Sequence, residues 1–356
     1  ADDLFAGEPA LKGLWQKCRE QLQNPSEEGL SQEELLRQPV FIPHRPMKDP
    51  RKLRILDPAC GSGHFLLYCF DLLLLIYEEA YNDAELEAAL RKDYPSLEDL
   101  RKAIPGLILR HNLHGIDIDL RATQIAALAL WLRCQRAYQS MNLQNGQRPP
   151  ITRSNIVCAE PMPGDKDMLR EFTAGLQPKV LGQLVEEVFD KMKLAGEAGS
   201  LLKIEEDIKA AAVKVKNDYV LWKKQQDAAA GFLLKEYAPK AEPDLFDFAA
   251  LGDEAFLERA EEEIVNALRC YAQLVGEGSV YRRKLFAEDA GRGFAFIDVC
   301  RKRYDVVVMN PPFGEPSSAS ILYIKDSFPT AFIDILAAFV DRAFEFCPYG
   351  RIGALT

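Results

Sequence analysis

The sequence predicts an α/β protein in which a parallel sheet is interrupted by a large, mostly helical insertion. The sheet is predicted because short apolar stretches alternate with helical ones on both sides of the insertion. Residues 304–309 form a nearly continuous apolar run, which is typical of a strand covered on both faces. The insertion is predicted at about 165–300, where Lys, Glu and Ala are abundant and apolar residues recur at helical spacing.

These patterns divide the chain into four parts. Apolar residues at helical spacing up to about residue 40, followed by a proline-rich stretch, predict helices and an extended connector. The sheet is then built in two pieces that flank the insertion. The predicted parts are an amino-terminal helical segment and connector (1–52), the first part of the sheet core (53–164), the helical insertion (165–303) and a second, incomplete part of the core (304–356).

Composition limits the classes of protein to be considered. Of the 356 residues, 48% are hydrophobic and 28% are charged, as in ordinary globular proteins. The formal net charge of −10 argues against a general nucleic-acid coat, which would be basic. Eight scattered cysteines without a Cys-x-x-Cys pair predict reduced thiols, a cytoplasmic location and no metal site. The apolar run Phe65–Ile76 is short and contains Asp71, so no membrane span is expected.

A glycine-containing turn lies between the first predicted strand and its helix. The strand Leu53–Leu56 is followed by Asp57, and the turn contains Gly61 and Gly63, which can adopt positive φ and let a ligand approach the backbone. No Gly-Lys-Ser/Thr follows, which excludes a P-loop, and the missing third glycine weakens a dinucleotide site. An acid at the strand end suits a ligand with an amino group or a cation, such as S-adenosylmethionine. A turn that binds no nucleotide is the alternative.

Two further predicted strands are also followed by acids. Asp117 ends the second strand, where a carboxylate can accept hydrogen bonds from ribose hydroxyls, and Ile118 beside it could lie against an adenine ring. Asp119 is expected to cap the next helix. Glu160 follows the third strand and could bind the amino group of that adenine. Three strand-end acids after one glycine turn therefore favour a ligand that contains a nucleoside.

The most specific feature is Asn310-Pro311-Pro312-Phe313, at the end of a predicted central strand. The two prolines stiffen the loop, and Phe313 can stack on a nucleobase. The side-chain oxygen of Asn310 and the carbonyl of Pro311 can accept the two hydrogens of an exocyclic amine. Acceptors fixed where positive charge develops stabilise the transition state. The loop therefore predicts methyl transfer to a planar amino group without a covalent nucleophile.

Four motifs in this order, DPACGSGHFL, GIDID, NIVCAEP and MNPPFG, resemble those of the γ-class N6-adenine DNA methyltransferases. The resemblance covers about 53–164 and 304–356. The phrase at 194–202 also resembles the PglX-like methyltransferases of BREX phage-defence systems, and related restriction–modification methylases are similar. The resemblance implies a Rossmann-like S-adenosylmethionine-dependent methyltransferase sheet and site-specific adenine-N6 methylation in phage defence or restriction–modification. It also implies that the chain is a fragment of a larger enzyme.

Matching the motifs residue by residue implies individual roles. Glu160 stands where the family usually has Asp, and only Phe41-Ile42-Pro43 suggests the family's amino-terminal cofactor-covering motif. The implied cofactor-binding positions are Asp57, Ala59, Gly61 and Gly63 at the methionine part, Asp117 at the ribose, Ile118 at the adenine and Glu160 at its amine. The implied catalytic positions are Asn310, Pro311, Pro312 and Phe313, with Asp334 as a secondary candidate.

The resemblance also implies partners, namely duplex DNA with a flipped adenine in the full-length protein, and defence-system proteins as candidates. The same loop would suit an RNA base or a protein glutamine, and the chain could instead be a cofactor-binding subunit without catalysis of its own. A cytosine-C5 mechanism is disfavoured because Cys347-Pro348 reverses the order of the Pro-Cys nucleophile. The insertion is acidic, so we expect it to pack on the sheet or dock a partner protein and not to read DNA.

Overall fold

In the computed structural model the chain divides into two compact units, Ala1–Lys48 and Asp49–Thr356. The structure describes residues 47–151, 154–232, 252–273 and 280–355. The predicted amino-terminal helices and the stretch Phe41-Ile42-Pro43 lie outside the described residues. The second unit contains the sheet and the insertion.

A parallel sheet of five strands forms the centre of the second unit. The strands follow the order β3-β2-β1-β4-β5, so the direction of strand addition reverses between β1 and β4. Ile55 of β1 lies opposite Leu113 on one side and Val306 on the other. The strands are β1 (Ile55–Asp57), β2 (Leu113–Asp117), β3 (Ile156–Cys158), β4 (Val306–Met309) and β5 (Arg351–Ala354).

Helices connect the strands, and the described residues of the predicted insertion are mostly helical, as expected. Before the insertion the helices are α1 (His64–Tyr81), α2 (Glu87–Asp93), α3 (Leu97–Leu107) and α4 (Leu120–Ser140). Within it they are α5 (Lys166–Gly175), α6 (Lys179–Lys191), α7 (Ala195–Ala198), α8 (Ile204–Phe232), α9 (Asp253–Gln273) and α10 (Val280–Arg301). After β4 they are α11 (Ile321–Ser327) and α12 (Ile335–Phe346). No helix in the described ranges is both long and apolar enough to cross a membrane.

Successive residues of the strands pack into two different hydrophobic cores, because side chains of a strand alternate between the faces of its sheet. On β1, Ile55 packs with α1 to α4, whereas Leu56 packs with apolar side chains of the insertion. On β2, Leu113 likewise belongs to the core with α1 to α4, and Ile116 belongs to the core with the insertion. The described part of the predicted insertion therefore packs on one face of the sheet, together with α12, and shares its core, which is one of the two arrangements expected for it.

Two elements begin later than the sequence patterns predict. Those patterns place the second strand at His111–Asp119 and a later helix from Thr330 to about Phe346. The second strand begins at Leu113 because Ile108–Asn112 continues the preceding helix as a π-helical turn. The helix predicted from Thr330 begins at Ile335, after a stretch that contains the shorter helix α11. The first residue of such an element depends on turn geometry and capping, and the periodicity of apolar residues does not locate it.

Candidate cofactor and target-base site

The carboxyl ends of β1 and β4 lie side by side, because the two strands pair in parallel with Leu56 opposite Val307. The glycine turn follows β1, and the loop after β4 begins at Asn310. Neighbouring strands are about 4.8 Å apart, so these two loops are adjacent. This is also where the strand order reverses, and open parallel sheets bind ligands at such positions.

The glycine turn adopts the left-handed backbone that its composition predicts. Gly61 has a φ of 51° and Gly63 a φ of 85°, values that side chains disfavour. A Cβ atom on Gly63 would stand 3.0 Å from the Cβ of Ala126, so this glycine also lets α1 pack against α4. At Gly61 no described atom outside its chain neighbours lies within 4 Å of the Cβ position. The backbone of Gly61 is therefore open to a ligand.

Asp57, the last residue of β1, carries a buried carboxyl group that is only 1% exposed. Its Oδ1 accepts a hydrogen bond of 3.2 Å from the N–H of Ala59. Burial raises the pKa of Asp57 to about 7, and the carboxylate of Asp117 acts in the same direction. Within the described part of the chain no basic side chain offsets these effects. A cationic ligand is therefore the group that would stabilise the charged form of Asp57.

Asp117, the last residue of β2, is bonded to the glycine turn. Its Oδ2 accepts a hydrogen bond of 2.8 Å from the N–H of Gly61, and its Oδ1 accepts one of 2.9 Å from the N–H of Asp119. Cys60 donates its N–H to the carbonyl of Ile116 at 2.9 Å, which ties the turn to β2 a second time. Asp119 caps α4 as predicted, because its Oδ1 accepts from the N–H of Arg121 at 2.8 Å.

Ile118 and Glu160 lie beyond the ends of β2 and β3. Ile118 is 53% exposed, so an apolar surface is available beside Asp117. The N–H of Ala159 donates to the carbonyl of Asp117 at 2.8 Å, which holds the two strand ends together. Glu160 lies 3.9 Å from a guanidinium nitrogen of Arg292 in α10, a neighbour that the sequence patterns did not indicate. The structure thus brings the three predicted nucleoside-binding side chains to adjacent strand ends.

The loop after β4 presents its polar and aromatic side chains to solvent. Pro311 is buried, whereas Asn310 and Pro312 are exposed and Phe313 is 65% exposed. None of the described residues forms a hydrogen bond with the Asn310 side chain, so its amide is available to a ligand. An exposed aromatic ring beside an unengaged amide at a strand end is an arrangement suited to holding a planar polar group.

The secondary candidate Asp334 has a structural role close to this loop. Its Oδ1 accepts a hydrogen bond of 2.9 Å from the N–H of Leu336 and caps α12. The next residue, Ile335, donates its N–H to the carbonyl of Gly314 at 2.9 Å. Asp334 therefore helps to place the helix end against which the loop after β4 is fixed.

Three residues near the glycine turn were missed by the sequence patterns. Ser200 of the insertion donates its hydroxyl to the carbonyl of Pro58 at 2.7 Å. Arg342 of α12 donates its Nε–H to the carbonyl of Ser200 at 3.0 Å and forms an ion pair of 2.7 Å with Glu205. The only signal for Ser200 was the phrase at 194–202, and Glu205 belongs to a run that predicts no more than a helix.

Neither Cys60 of the glycine turn nor Cys347, the residue considered for a cytosine-C5 mechanism, has a thiol arranged for nucleophilic catalysis. Burial raises the pKa of Cys60 and of Cys347, which keeps both thiols protonated at neutral pH. Cys347 lies at the carboxyl end of α12, as its place before Pro348 predicts. Throughout the described ranges, no group of three or more potential His, Cys, Asp or Glu metal ligands occurs.

Comparison with known proteins relates the chain to adenine-specific methyltransferases of two organisms. It is 28% identical over 305 residues to the adenine-specific methyltransferase BrxX of Escherichia coli O9:H4 (strain HS), which covers 83% of this chain. It is 30% identical over 175 residues to the adenine-specific methyltransferase PglX of Lacticaseibacillus casei (strain Zhang), which covers 43% of this chain. The chain spans 20% of the length of the first relative and 13% of the second.

Two family models match overlapping parts of the chain, and together they include all the predicted site residues. The MmeI DNA-methyltransferase domain matches residues 46–166, which include the glycine turn and the three strand-end acids. The model for Eco57I restriction-modification methylases matches residues 111–356, which is more than half of the chain and includes the loop after β4. The chain belongs to the Eco57I family of restriction-modification methylases.

Proposed function

We propose that this chain is the catalytic region of a DNA methyltransferase that transfers a methyl group from S-adenosylmethionine to N6 of adenine. One observation carries the proposal: the buried Asp57, with no basic side chain of the described residues to balance it, lies one strand away from the exposed Asn310 loop. The parallel order β3-β2-β1-β4-β5, with its reversal beside β1, supports a Rossmann-like sheet as the scaffold.

The residues at the ends of β1 to β3 fit the chemical groups of the cofactor. When bound, S-adenosylmethionine supplies a methyl group on a positively charged sulfur. Asp57 would face a cationic part of the ligand, and the open backbone at Gly61 would receive the methionine part together with Ala59 and Gly63. The nucleoside contacts we assign are ribose hydroxyls to Asp117, the adenine face to Ile118 and the adenine amine to Glu160.

The loop after β4 would act on the target base. The N6 amine of adenine is a weak nucleophile because its lone pair is delocalised into the ring. Asn310 and the Pro311 carbonyl would accept its two hydrogens and direct the lone pair towards the methyl group. Transfer requires loss of one N6 proton, and the solvent exposure of Asn310 and Pro312 lets water accept it. Stacking on Phe313 would offset part of the cost of extruding the base, at about 1–3 kcal/mol per base.

The names of the relatives support adenine as the target, and the two family models support DNA as the substrate and restriction–modification as the setting. The resemblance to PglX-like methyltransferases adds phage defence as an alternative setting. We infer the same substrate for the longer protein to which such a region belongs, acting in the cytoplasm with defence-system proteins as partners. We also retain the division of the chain at about residues 52, 164 and 303, in which 165–303 is an addition to the methyltransferase core.

The proposal is tested by offering the full-length protein labelled S-adenosylmethionine with duplex DNA, RNA and a glutamine-containing peptide in parallel. Hydrolysis of the products and mass spectrometry should find N6-methyladenine in the DNA and no label in the other two. Label found only in the RNA or only in the peptide would show that DNA is not the substrate and that the labelled molecule is. A folded protein that binds no S-adenosylmethionine would exclude the whole proposal.

A further inference from the structure

Residues Ala195–Lys203, which we name the bridging segment, connect the first helices of the insertion to α8. The segment consists of α7, a 3-10 turn at Gly199–Leu201 and two further residues. It is short, yet most of it is buried, and its buried apolar residues are Ala195, Ala198, Leu201 and Leu202. The roles assigned above to the strand-end residues do not use this segment.

The bridging segment touches the loops that follow β1 and β2. Ser200 is 1% exposed, and its hydroxyl donates to the carbonyl of Pro58, three residues before Gly61, at 2.7 Å. Gly199 has a φ of 55°, and a Cβ atom there would stand 2.9 Å from the Cγ2 of Ile118. A side chain at Gly199 would therefore displace the residue assigned to the adenine face, in addition to straining the backbone.

The same serine is anchored from behind by a buried arginine. Arg342 is 1% exposed and donates its Nε–H to the carbonyl of Ser200 at 3.0 Å. Its guanidinium group forms ion pairs with Glu205 at 2.7 Å and with Glu345. Separating a buried ion pair is costly because the remaining charge is left unpaired. The main chain at Ser200 is therefore held by Arg342 of α12 and its partner Glu205 of α8, in addition to the bond between its hydroxyl and Pro58.

The other side of the bridging segment contacts residues that follow the loop after β4. Ser317, seven residues after Asn310, donates its hydroxyl to Oε2 of Glu197 at 2.8 Å. Lys203 donates its main-chain N–H to the hydroxyl of Tyr323 in α11 at 2.8 Å. One short segment thus contacts both the cofactor side and the target-base side of the sheet edge.

We propose that the bridging segment sets the relative position of the glycine turn and the loop after β4. Ser200 is a positioning residue for the glycine turn, and Glu197 is a positioning residue for the loop after β4. This inference rests on the proposed function. It predicts that the two residues affect different kinetic quantities. Ser200 acts on cofactor binding through Pro58, whereas Glu197 acts on the rate at saturating cofactor through Ser317.

The first test uses Ser200→Ala in the full-length protein. Loss of the hydroxyl should weaken S-adenosylmethionine binding by about three- to tenfold in calorimetry, with little change in the rate at saturating cofactor. It should also speed amide hydrogen exchange in the peptide covering residues 58–64 without any ligand. Ser200→Cys, which keeps a weak donor of similar size, should give intermediate values.

Tyr304→Phe is the matched control, because Tyr304 also donates a buried hydroxyl to a main-chain carbonyl, that of Val299, at 2.7 Å. Tyr304 precedes β4 and so lies at the opposite end of the sheet. This variant should leave exchange in 58–64 and cofactor affinity at wild-type values. Equal exchange in the wild type and Ser200→Ala would overturn the role of Ser200 whether or not the protein is a methyltransferase. If Ser200→Ala speeds exchange in 58–64 as expected but the wild type binds no cofactor, only the proposed function is refuted.

The second test uses Glu197→Ala, Ser317→Ala and the double variant. Each single change should lower the rate at saturating cofactor by about three- to tenfold while cofactor affinity stays constant. The double variant should lose no more than either single variant, because both remove the same hydrogen bond. Additive losses, or losses in cofactor affinity instead of rate, would exclude the role of Glu197.

Discussion

The carboxylate of Asp117 accepts a hydrogen bond of 2.8 Å from the N–H of Gly61, although the two residues are 56 positions apart in the chain. The end of β2 therefore shapes the turn that follows β1. A carboxylate has about four lone-pair positions, so the bond to Gly61 and the bond to Asp119 leave capacity for ribose hydroxyls. Asp117 thus combines the shaping of the turn with its proposed contact to the cofactor.

Replacement of Asp117 by Ala should weaken S-adenosylmethionine binding by about 10- to 100-fold, because hydrogen bonds to a charged group are worth about 1.5–3 kcal/mol. Isothermal titration calorimetry measures the change. Asp83→Ala is a suitable control, since Asp83 also accepts a main-chain hydrogen bond, from Glu85 at 2.9 Å, but beyond the far end of α1. Equal affinities for wild type and Asp117→Ala would contradict the assignment.

Stability of the ligand-free protein should fall as the pH rises from about 4 to about 7. The pKa of Asp57 is raised from 3.8 to about 7, so in this interval the native state holds a proton that the unfolded state has lost. The loss of free energy of unfolding from ionising the buried Asp57 is absent below about pH 4 and complete above about pH 7. It amounts to up to about 4 kcal/mol. Urea unfolding of wild type and Asp57→Asn between pH 5 and pH 8 measures it. A wild-type slope that persists unchanged in Asp57→Asn would refute the prediction.

Removal of the Asn310 side chain should abolish transfer while leaving the cofactor in place. Asn310→Ala should lower kcat of the full-length protein by at least about 100-fold, as loss of a transition-state acceptor does elsewhere, with cofactor affinity unchanged. Phe313→Ala should mainly raise the KM for DNA, because stacking holds the flipped base. Asn82→Ala, at the end of α1, serves as the control. Full activity of Asn310→Ala would eliminate the proposed mechanism.

Loss of the buried ion pair at Arg342 should destabilise the protein strongly. Arg342→Ala leaves Glu205, 7% exposed, without its partner and should lower the free energy of unfolding by about 3–5 kcal/mol. Arg101→Ala removes a solvent-exposed pair with Glu78 and should lower the free energy of unfolding far less, because water and salt screen exposed charges. Chemical denaturation measures the free energy of unfolding of both variants. Similar losses in the two would show that the buried ion pair contributes no more to stability than the exposed one.

The isolated chain should bind duplex DNA weakly and without sequence preference. Sequence-specific recognition needs phosphate contacts as well as contacts to base edges, and this chain carries a net charge of −10. Filter binding across a range of salt concentrations should therefore give a shallow salt dependence, since few counterions are released. Tight, sequence-selective binding by residues 1–356 would instead place the DNA reader within the chain.

The sequence by itself determined the elements of this site, because their signals are local. The absence of a Cβ allows Gly61 and Gly63 to adopt the positive φ that this turn requires. The strand at Val306–Met309, with two buried and two partly buried side chains, follows from its apolar run, and the cap at Asp119 follows from its place before a helix. Parallel strands bring their carboxyl ends to one edge, so the gathering of the acids and the Asn310 loop was also predictable.

Only the tertiary structure decided which distant groups support that site. Ser200 and Pro58 are 142 residues apart, and Arg342 and Glu205 are 137 apart. No local pattern marks such pairs, because a serine or a glutamate in a helical stretch has the same propensity whether it faces solvent or a buried partner. The insertion shares a hydrophobic core with the sheet, and that packing brings these residues together. Burial then raises the pKa of Asp57, since desolvation depends on the surroundings of a carboxyl group and not on its neighbours in sequence.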